Sequence, residues 1–290
     1  TRPMARATKA ATKAAPTQPT FNRSELAKAA EFAARALDPR PSAAALAGIL
    51  LRPEGDAVAV SATNYDTTAR AIVTPGGAPL GESLLIPGRL FADWLNTARG
   101  DTVALILDGA RLVCESGGAR MGLSTIPAGD APGRPEVVPP AVRVGRDALA
   151  DALRRVAPAV GTNNLQPDFM ACHLLIRDNA LEVTATNRYI IARAVAPLAE
   201  EVAADVTFEA LPPHKALADL LGRIDGPEVG LALSGGLLHL TGATTSATVR
   251  VLEGTFFWRS LDGILGREFP GAAVAEVDAL GLRAEAQAVG

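Results

Sequence analysis

The chain has 290 residues, of which 48% are apolar and only 4% aromatic, and its formal net charge is −3. That composition excludes a disordered protein and a surface coated in basic charge, and the length suffices for two domains with sizeable cores. No apolar run reaches the roughly 18 residues that cross a bilayer, and the opening residues (Arg2, Arg6, Lys9 and Lys13 among Ala and Thr) lack the apolar segment of a secretory signal, so a cytoplasmic protein is expected.

Residues 1–20, rich in Ala, Thr, Lys and Pro, read as a disordered tail. A helix is expected over 24–40, with Ser24 as its N-cap. Alternation over Ala57 to Ala62 predicts a strand. A second helix runs over 87–99, with Pro87 in its first turn and Leu90, Phe91, Trp94 and Leu95 as its apolar stripe. Strands over 103–107 and 111–115 turn at Asp108-Gly109, and Gly117-Gly118 after Ser116 marks a further hairpin.

The order then starts again. A helix over 146–160 has Asp147 as its N-cap and Leu149, Leu153 and Val156 on one side. A strand follows over Leu181 to Thr186, then a helix over 213–223 with Leu217, Leu220 and Leu221. Strands over 229–233 and 237–240 flank Ser234-Gly235-Gly236.

The recurrence is one of residues as well as of elements. Ala62-Thr63-Asn64, followed after four residues by Ala69-Arg70-Ala71, returns as Ala185-Thr186-Asn187 and Ala192-Arg193-Ala194, an offset of 123. Arg23-Ser24 aligns with Arg146-Asp147 at the same offset. Pro87, Asp93, Leu95, Gly100, Val103, Leu105 and Leu107 match Pro213, Asp219, Leu221, Gly226, Val229, Leu231 and Leu233 at an offset of 126. A repeat this long means duplicated domains. The fold class is α+β, repeated domains of two helices packed on antiparallel sheets with roughly eight strands each. The domains are expected at 21–138 and 139–270, and Asp278-Ala279-Leu280 opens a truncated third copy over 271–290.

Charge divides between the elements. The four expected helices hold ten basic residues (Lys28, Arg35, Arg40, Arg89, Arg99, Arg146, Arg154, Arg155, Lys215, Arg223) against seven acidic ones, while strands and loops are acidic. Helix surfaces often carry Arg and Lys for solubility alone. The alternative is a basic helical face turned toward a polyanion, which gives salt-sensitive binding without sequence preference. No aromatic residues interleave these cations, which disfavours single-stranded nucleic acid. His173, His214 and His239 have no metal-ligand spacing, Cys114 and Cys172 read as buried free thiols, and no nucleophile–base set or phosphate loop is present, so no catalysis and no cofactor are expected.

Ile86-Pro87-Gly88-Arg89-Leu90-Phe91-Ala92-Asp93, Leu123-Ser124-Thr125-Ile126-Pro127-Ala128, Ala185-Thr186-Asn187-Arg188-Tyr189 and Val251-Leu252-Glu253-Gly254 resemble the bacterial β sliding clamp, the β subunit of DNA polymerase III, in an actinobacterial flavour. The resemblance implies a DNA clamp fold and a non-catalytic homodimeric ring around double-stranded DNA. It implies as partners the polymerase catalytic subunit, the clamp loader and other proteins with clamp-binding motifs. It places Lys28, Arg40, Arg89, Arg146, Arg154, Lys215 and Arg223 toward DNA, and Met170, Thr186, Arg188, Tyr189, Ile191 and Leu261 in a partner-peptide groove. Two departures stand out: Ile190 where many clamps are basic, and Phe256-Phe257-Trp258 where Phe-Pro is usual. The short third copy keeps a second reading open, a truncated clamp paralog that binds partners without encircling DNA.

Overall fold

A computed structural model describes residues 18–163, 165–202, 206–254, 258 and 261–265. The chain to Glu253 forms one compact unit, and a second begins at Gly254, where a single helical turn at Asp262–Leu265 is described.

Two copies of one element order build the first unit. The first copy is β1 (Pro19–Asn22), α1 (Arg23–Ala34), β2 (Gly48–Glu54), β3 (Ala57–Thr63), β4 (Thr67–Val73), β5 (Gly76–Gly77), β6 (Leu84–Pro87), α2 (Gly88–Thr97), β7 (Thr102–Asp108), β8 (Arg111–Ser116) and β9 (Ala119–Ser124). The second is β10 (Val142–Gly145), α3 (Arg146–Val156), β11 (His173–Arg177), β12 (Ala180–Thr186), β13 (Ile191–Pro197), β14 (Glu209–Ala210), α4 (His214–Leu221), β15 (Glu228–Ser234), β16 (Leu237–Thr241) and β17 (Thr245–Arg250). Among the described residues only β5 lacks a twin. Strand β1 begins inside the stretch expected as a tail: Pro19 and Thr20 pair with Gly77 and Gly76, and the Thr20 hydroxyl donates to the Gly76 carbonyl at 2.6 Å.

The helices are shorter than expected, for local reasons. Asn22, not Ser24, caps α1: its side chain accepts from the Glu25 N–H at 3.1 Å. The helix stops at Ala34 and ends in tight turns, since Pro39 bars helical backbone at Asp38. α3 is capped at Gly145, and α2 and α4 take Pro87 and Pro213 as N-caps without a side-chain bond. In α2 the residues Phe91, Ala92 and Leu95 are buried, whereas Leu90, read as part of the stripe, is 60% exposed. α3 buries Leu149, Leu153 and Val156 and α4 buries Leu217, Leu220 and Leu221, as the spacing predicts. Each large side chain so buried contributes roughly 1.5–3 kcal/mol against exposure.

The strands form three antiparallel sheets. β5-β1-β7-β8-β9 is the first, β13-β12-β11-β14 the third, and between them lies an eight-stranded sheet, β10-β15-β16-β17-β4-β3-β2-β6. This central sheet joins four strands of each copy through the β17–β4 ladder, where Ala247 stands opposite Ala69 and Thr248 opposite Thr68. Its twin edges, β9 (twin of β17) and β13 (twin of β4), have no further strand beside them among the described residues.

The sharpest sequence repeat is turn chemistry. The Thr63 and Thr186 hydroxyls donate to the Thr67 and Ile190 carbonyls at 3.0 and 2.8 Å and accept from the Tyr65 and Arg188 N–H groups. The Asn64 side chain accepts from the next two N–H groups but one, at Asp66 and Thr67, and Asn187 does the same for Tyr189 and Ile190. Such side-chain bonds hold Tyr65 and Arg188 at φ +73° and +79°, a conformation that few residues adopt unaided.

After α4 the carboxylate of Asp225 braces the β16–β17 turn. It accepts from the N–H and hydroxyl of Thr244 and of Thr245 at 2.6–3.1 Å. Burial pushes this carboxyl up, but the bonds outweigh burial and hold it at about 2, below the ordinary 3.8. A depressed carboxyl stabilises the fold fully above its unfolded value and loses that contribution as pH falls through its folded one. Asp225→Asn is therefore expected to cost about 1–2 kcal/mol at neutral pH, discounted for solvent screening. In urea unfolding the gap from wild type should close between about pH 4 and about pH 2. A gap independent of pH would refute the assignment.

Candidate nucleic-acid interface

α1 packs on β3 and β4, α4 on β17, and α3 on β12 and β13, while α2 lies against α1. Polar contacts cross-link the helices into a row, α2–α1–α4–α3. Asn96 of α2 donates to Glu31 of α1 at 2.7 Å. Arg35, just past α1, meets Asp219 of α4 at 3.6 Å, and Glu31 meets Arg223, just past α4, at 3.7 Å. His214 of α4 bonds the Leu153 carbonyl of α3 at 2.9 Å. The middle links join the two copies, so the row spans the duplication.

The sequence-derived cations divide into three groups on this row. Lys28, Arg40, Arg89 and Lys215 are exposed and form no ion pair among the described residues. Arg154 and Arg223 are exposed but paired: Arg154 contacts Asp151, which also takes Arg155 at 2.6 Å, and Arg223 reaches Glu31. The hydrogen bond from Arg154, with the charge of Arg155, holds the Asp151 carboxyl below its ordinary value. Lys28 and Arg223 share the lining of a cavity of about 600 Å³ between the copies with Glu25, Glu31 and Asp225.

Arg146 stands apart, with its side chain 34% exposed and bonded internally. Its guanidinium donates to the Ile224 carbonyl at 3.2 Å and to Asp147 at 2.9 Å, and its N–H to the Pro227 carbonyl, so it ties the start of α3 to the segment after α4. Its twin Arg23 does the same in the first copy, donating to the carbonyls of Gly100 at 2.7 Å and Leu95 at 3.0 Å. The repeated Arg is an internal staple, and Arg23, which helix counting passed over, was visible at the same offset. Hydrogen bonds from a charged donor are worth about 1.5–3 kcal/mol. Arg146→Ala is expected to lose about that much in urea unfolding, and if Arg146 serves only inside the fold, to leave the salt dependence of any nucleic-acid binding unchanged. A lower salt slope would return Arg146 to the interface.

Away from the helices, the second Thr-Asn turn carries the residues assigned to a partner groove. Tyr189 is 89% exposed and Arg188 is exposed, its guanidinium 5.5 Å from the ring of Phe169. Met170 and Ile191 are half-buried nearby in sequence to these two features. Thr186 is 1% exposed and uses its hydroxyl inside the turn, so it shapes the loop without offering a contact of its own. Phe169 and Leu165, the latter 89% exposed, add apolar surface that sequence reasoning did not single out. Leu261 is buried within the second unit; Phe256, Phe257 and residues 271–290 lie outside the described residues.

Among the described residues no group of three His, Cys, Asp or Glu could hold a metal ion. Burial pushes both thiols, Cys114 and Cys172, up to about 12, which leaves them unreactive at neutral pH.

Residues 17–135 match the family model for the DNA polymerase III β subunit, N-terminal domain. The chain is 32% identical over 238 residues to the β sliding clamp of Streptomyces coelicolor, covering 80% of itself and 63% of that relative. It is 32% identical over 114 residues to a β sliding clamp sequence from Vibrio harveyi, covering 39% of itself and 79% of that relative. The structure resembles a Pseudomonas aeruginosa sliding clamp solved bound to griselimycin, with a TM-score of 0.77 at 21% identity, covering 87% of this chain and 69% of that one. At that identity the structural likeness establishes the fold.

Proposed function

Since the chain belongs to the DNA polymerase III β-subunit, or sliding clamp, family, we propose that it serves as a processivity clamp: it encircles duplex DNA as a ring of copies and tethers a replicative polymerase, without chemistry of its own. The carrying observation is the row of four cross-linked helices with unpaired cations at Lys28, Arg40, Arg89 and Lys215.

The placement of two of those cations supports the reading. Arg89 and Lys215 are twins, each at the second position of a helix whose N-cap offers no side-chain acceptor. A cation there opposes the helix dipole and costs about 0.3–1 kcal/mol. Phosphates lying along the row would offset that cost. Ring closure suits the open edges, since β9 and β13 repeat the strands that already pair as β17 and β4. The exposed turn at Arg188 and Tyr189, with Met170 and Ile191, suits a short partner peptide from the polymerase, the clamp loader or another clamp-binding protein. On this reading the domains are 21–138 and 139–270, with a third opening at 271, and the protein works in the cytoplasm.

Loading by a clamp loader onto nicked circular DNA should give a complex that survives a salt wash and is lost when the circle is cut. Each of Lys28→Ala, Arg89→Ala and Lys215→Ala should lower the salt slope of direct DNA binding by about 0.9. Equal retention on circular and linear DNA would overturn encirclement. A monomer in sedimentation that still binds clamp-binding peptides would favour the paralog reading instead.

A further inference from the structure

The face of the central sheet opposite the helices is crossed by the linker between β9 and β10. Ile49, Leu51, Val58, Val60, Ala69 and Ala71 point into the core, so the alternate residues Arg52, Glu54, Ser61 and Arg70 point the other way. There, together with Arg134 and Glu136 of the linker, they line a cavity of about 310 Å³, the volume of roughly ten waters.

The charge in this pocket does not balance. Glu54 contacts Arg70 closely and reaches Arg52 at 3.6 Å, so one carboxylate serves two guanidiniums. Arg134 has no carboxylate partner among the described residues. Its Nη1 donates to the Pro132 carbonyl at 2.9 Å and its Nη2 to the Ser61 carbonyl at 3.4 Å, while its buried Nε–H finds no acceptor among the described residues. Burial first, and then the charge of Arg52, lower the Arg134 pKa to about 10. Glu136 is exposed and forms no ion pair among the described residues. A neutral amide could bond the same two carbonyls and hold the linker down without burying a charge. Keeping a guanidinium here, beside two others, incurs a desolvation cost that a bound anion would offset.

We infer that Arg52, Arg70 and Arg134 form a pocket under the linker for a small oxyanion of phosphate type, on the side of the protein away from the helix row. Planar guanidiniums with convergent N–H groups suit tetrahedral oxyanions. The site is separate from the cations proposed to face DNA and does not depend on the clamp reading.

Calorimetric titration of the full chain with inorganic phosphate, at ionic strength held constant with sodium chloride, tests the pocket. One saturable site per chain is expected. Arg134→Gln should weaken it at least tenfold and Arg52→Gln several-fold, whereas Glu136→Gln, which removes a carboxylate from the lining, should tighten it. The Arg52 side chain is 59% exposed, so Arg52→Gln keeps the test valid if Arg134→Gln loosens the linker. Lys28→Ala should leave phosphate binding unchanged. The inference fails if no saturable heat appears, if both arginine variants bind phosphate as wild type does, or if Lys28→Ala abolishes the signal.

Discussion

Ala69→Asp is expected to lower the unfolding free energy by about 3–5 kcal/mol, while the same change at its twin, Ala192→Asp, costs no more than about 1 kcal/mol. Ala69 is fully buried in β4, opposite Ala247 of β17, at the ladder that joins the two copies. A carboxylate placed there would lie between two packed strands under α1, without a counter-charge or water. Ala192 occupies the same position in β13, but there the strand is a sheet edge and the residue is only half-buried. Urea unfolding reads both: a loss of about 4 kcal/mol moves the midpoint by about 1.3–2 M when the slope is about 2–3 kcal/mol per M. Equal losses would mean that the seam is not what distinguishes the two sites. The pair also separates stability from assembly. If β13 pairs with another clamp domain, Ala192→Asp should leave the chain folded yet prevent the ring, whereas Ala69→Asp should unfold it.

The duplication was legible because it is written in turn residues. Thr63-Asn64 and Thr186-Asn187 repeat because each Thr-Asn pair makes the same four bonds to its own loop, and a bond pattern that local admits few substitutes. Apolar spacing likewise located the helix faces in α3 and α4. Helix ends were missed where caps compete: Asn22 lies two residues before Ser24, and both could accept the bond. The direction of a guanidinium was not legible at all. Arg146 and Arg154 look alike in a charge count, yet one bonds backbone carbonyls across its copy and the other an aspartate one turn away on its own helix. The β17–β4 seam was hidden for a related reason. Each copy carries the same strands, so sequence periodicity is blind to which copy supplies a neighbour. Arg134 escaped because nothing periodic surrounds it; its Pro-rich linker reads as a spacer until the sheet beneath it is known.

Gly117→Ala should be the most damaging conservative change in the chain's hairpins, costing at least about 3 kcal/mol, against about 1–2 kcal/mol for Gly118→Ala next to it. Both residues have positive φ, +56° and +82°, as the tight β8–β9 hairpin requires, so both substitutions carry the left-handed penalty. They differ in what the new methyl meets. At Gly118 nothing lies within 4 Å, whereas at Gly117 a Cβ would sit 1.8 Å from the Arg99 carbonyl oxygen and 3.0 Å from the Gly100 nitrogen. Backbone cannot yield there cheaply, because the Ser116 hydroxyl bonds the Arg99 and Thr102 carbonyls at 2.9 and 2.8 Å and locks the loop after α2 onto this hairpin. Relief would have to move α2, which carries Arg89, or β9, the open edge. Thermal or urea unfolding of the two variants, side by side, gives the comparison directly. If Gly117→Ala costs no more than Gly118→Ala, the hairpin and the α2 loop are not in the contact described, and the positions inferred for Arg89 and for the β9 edge lose their support together.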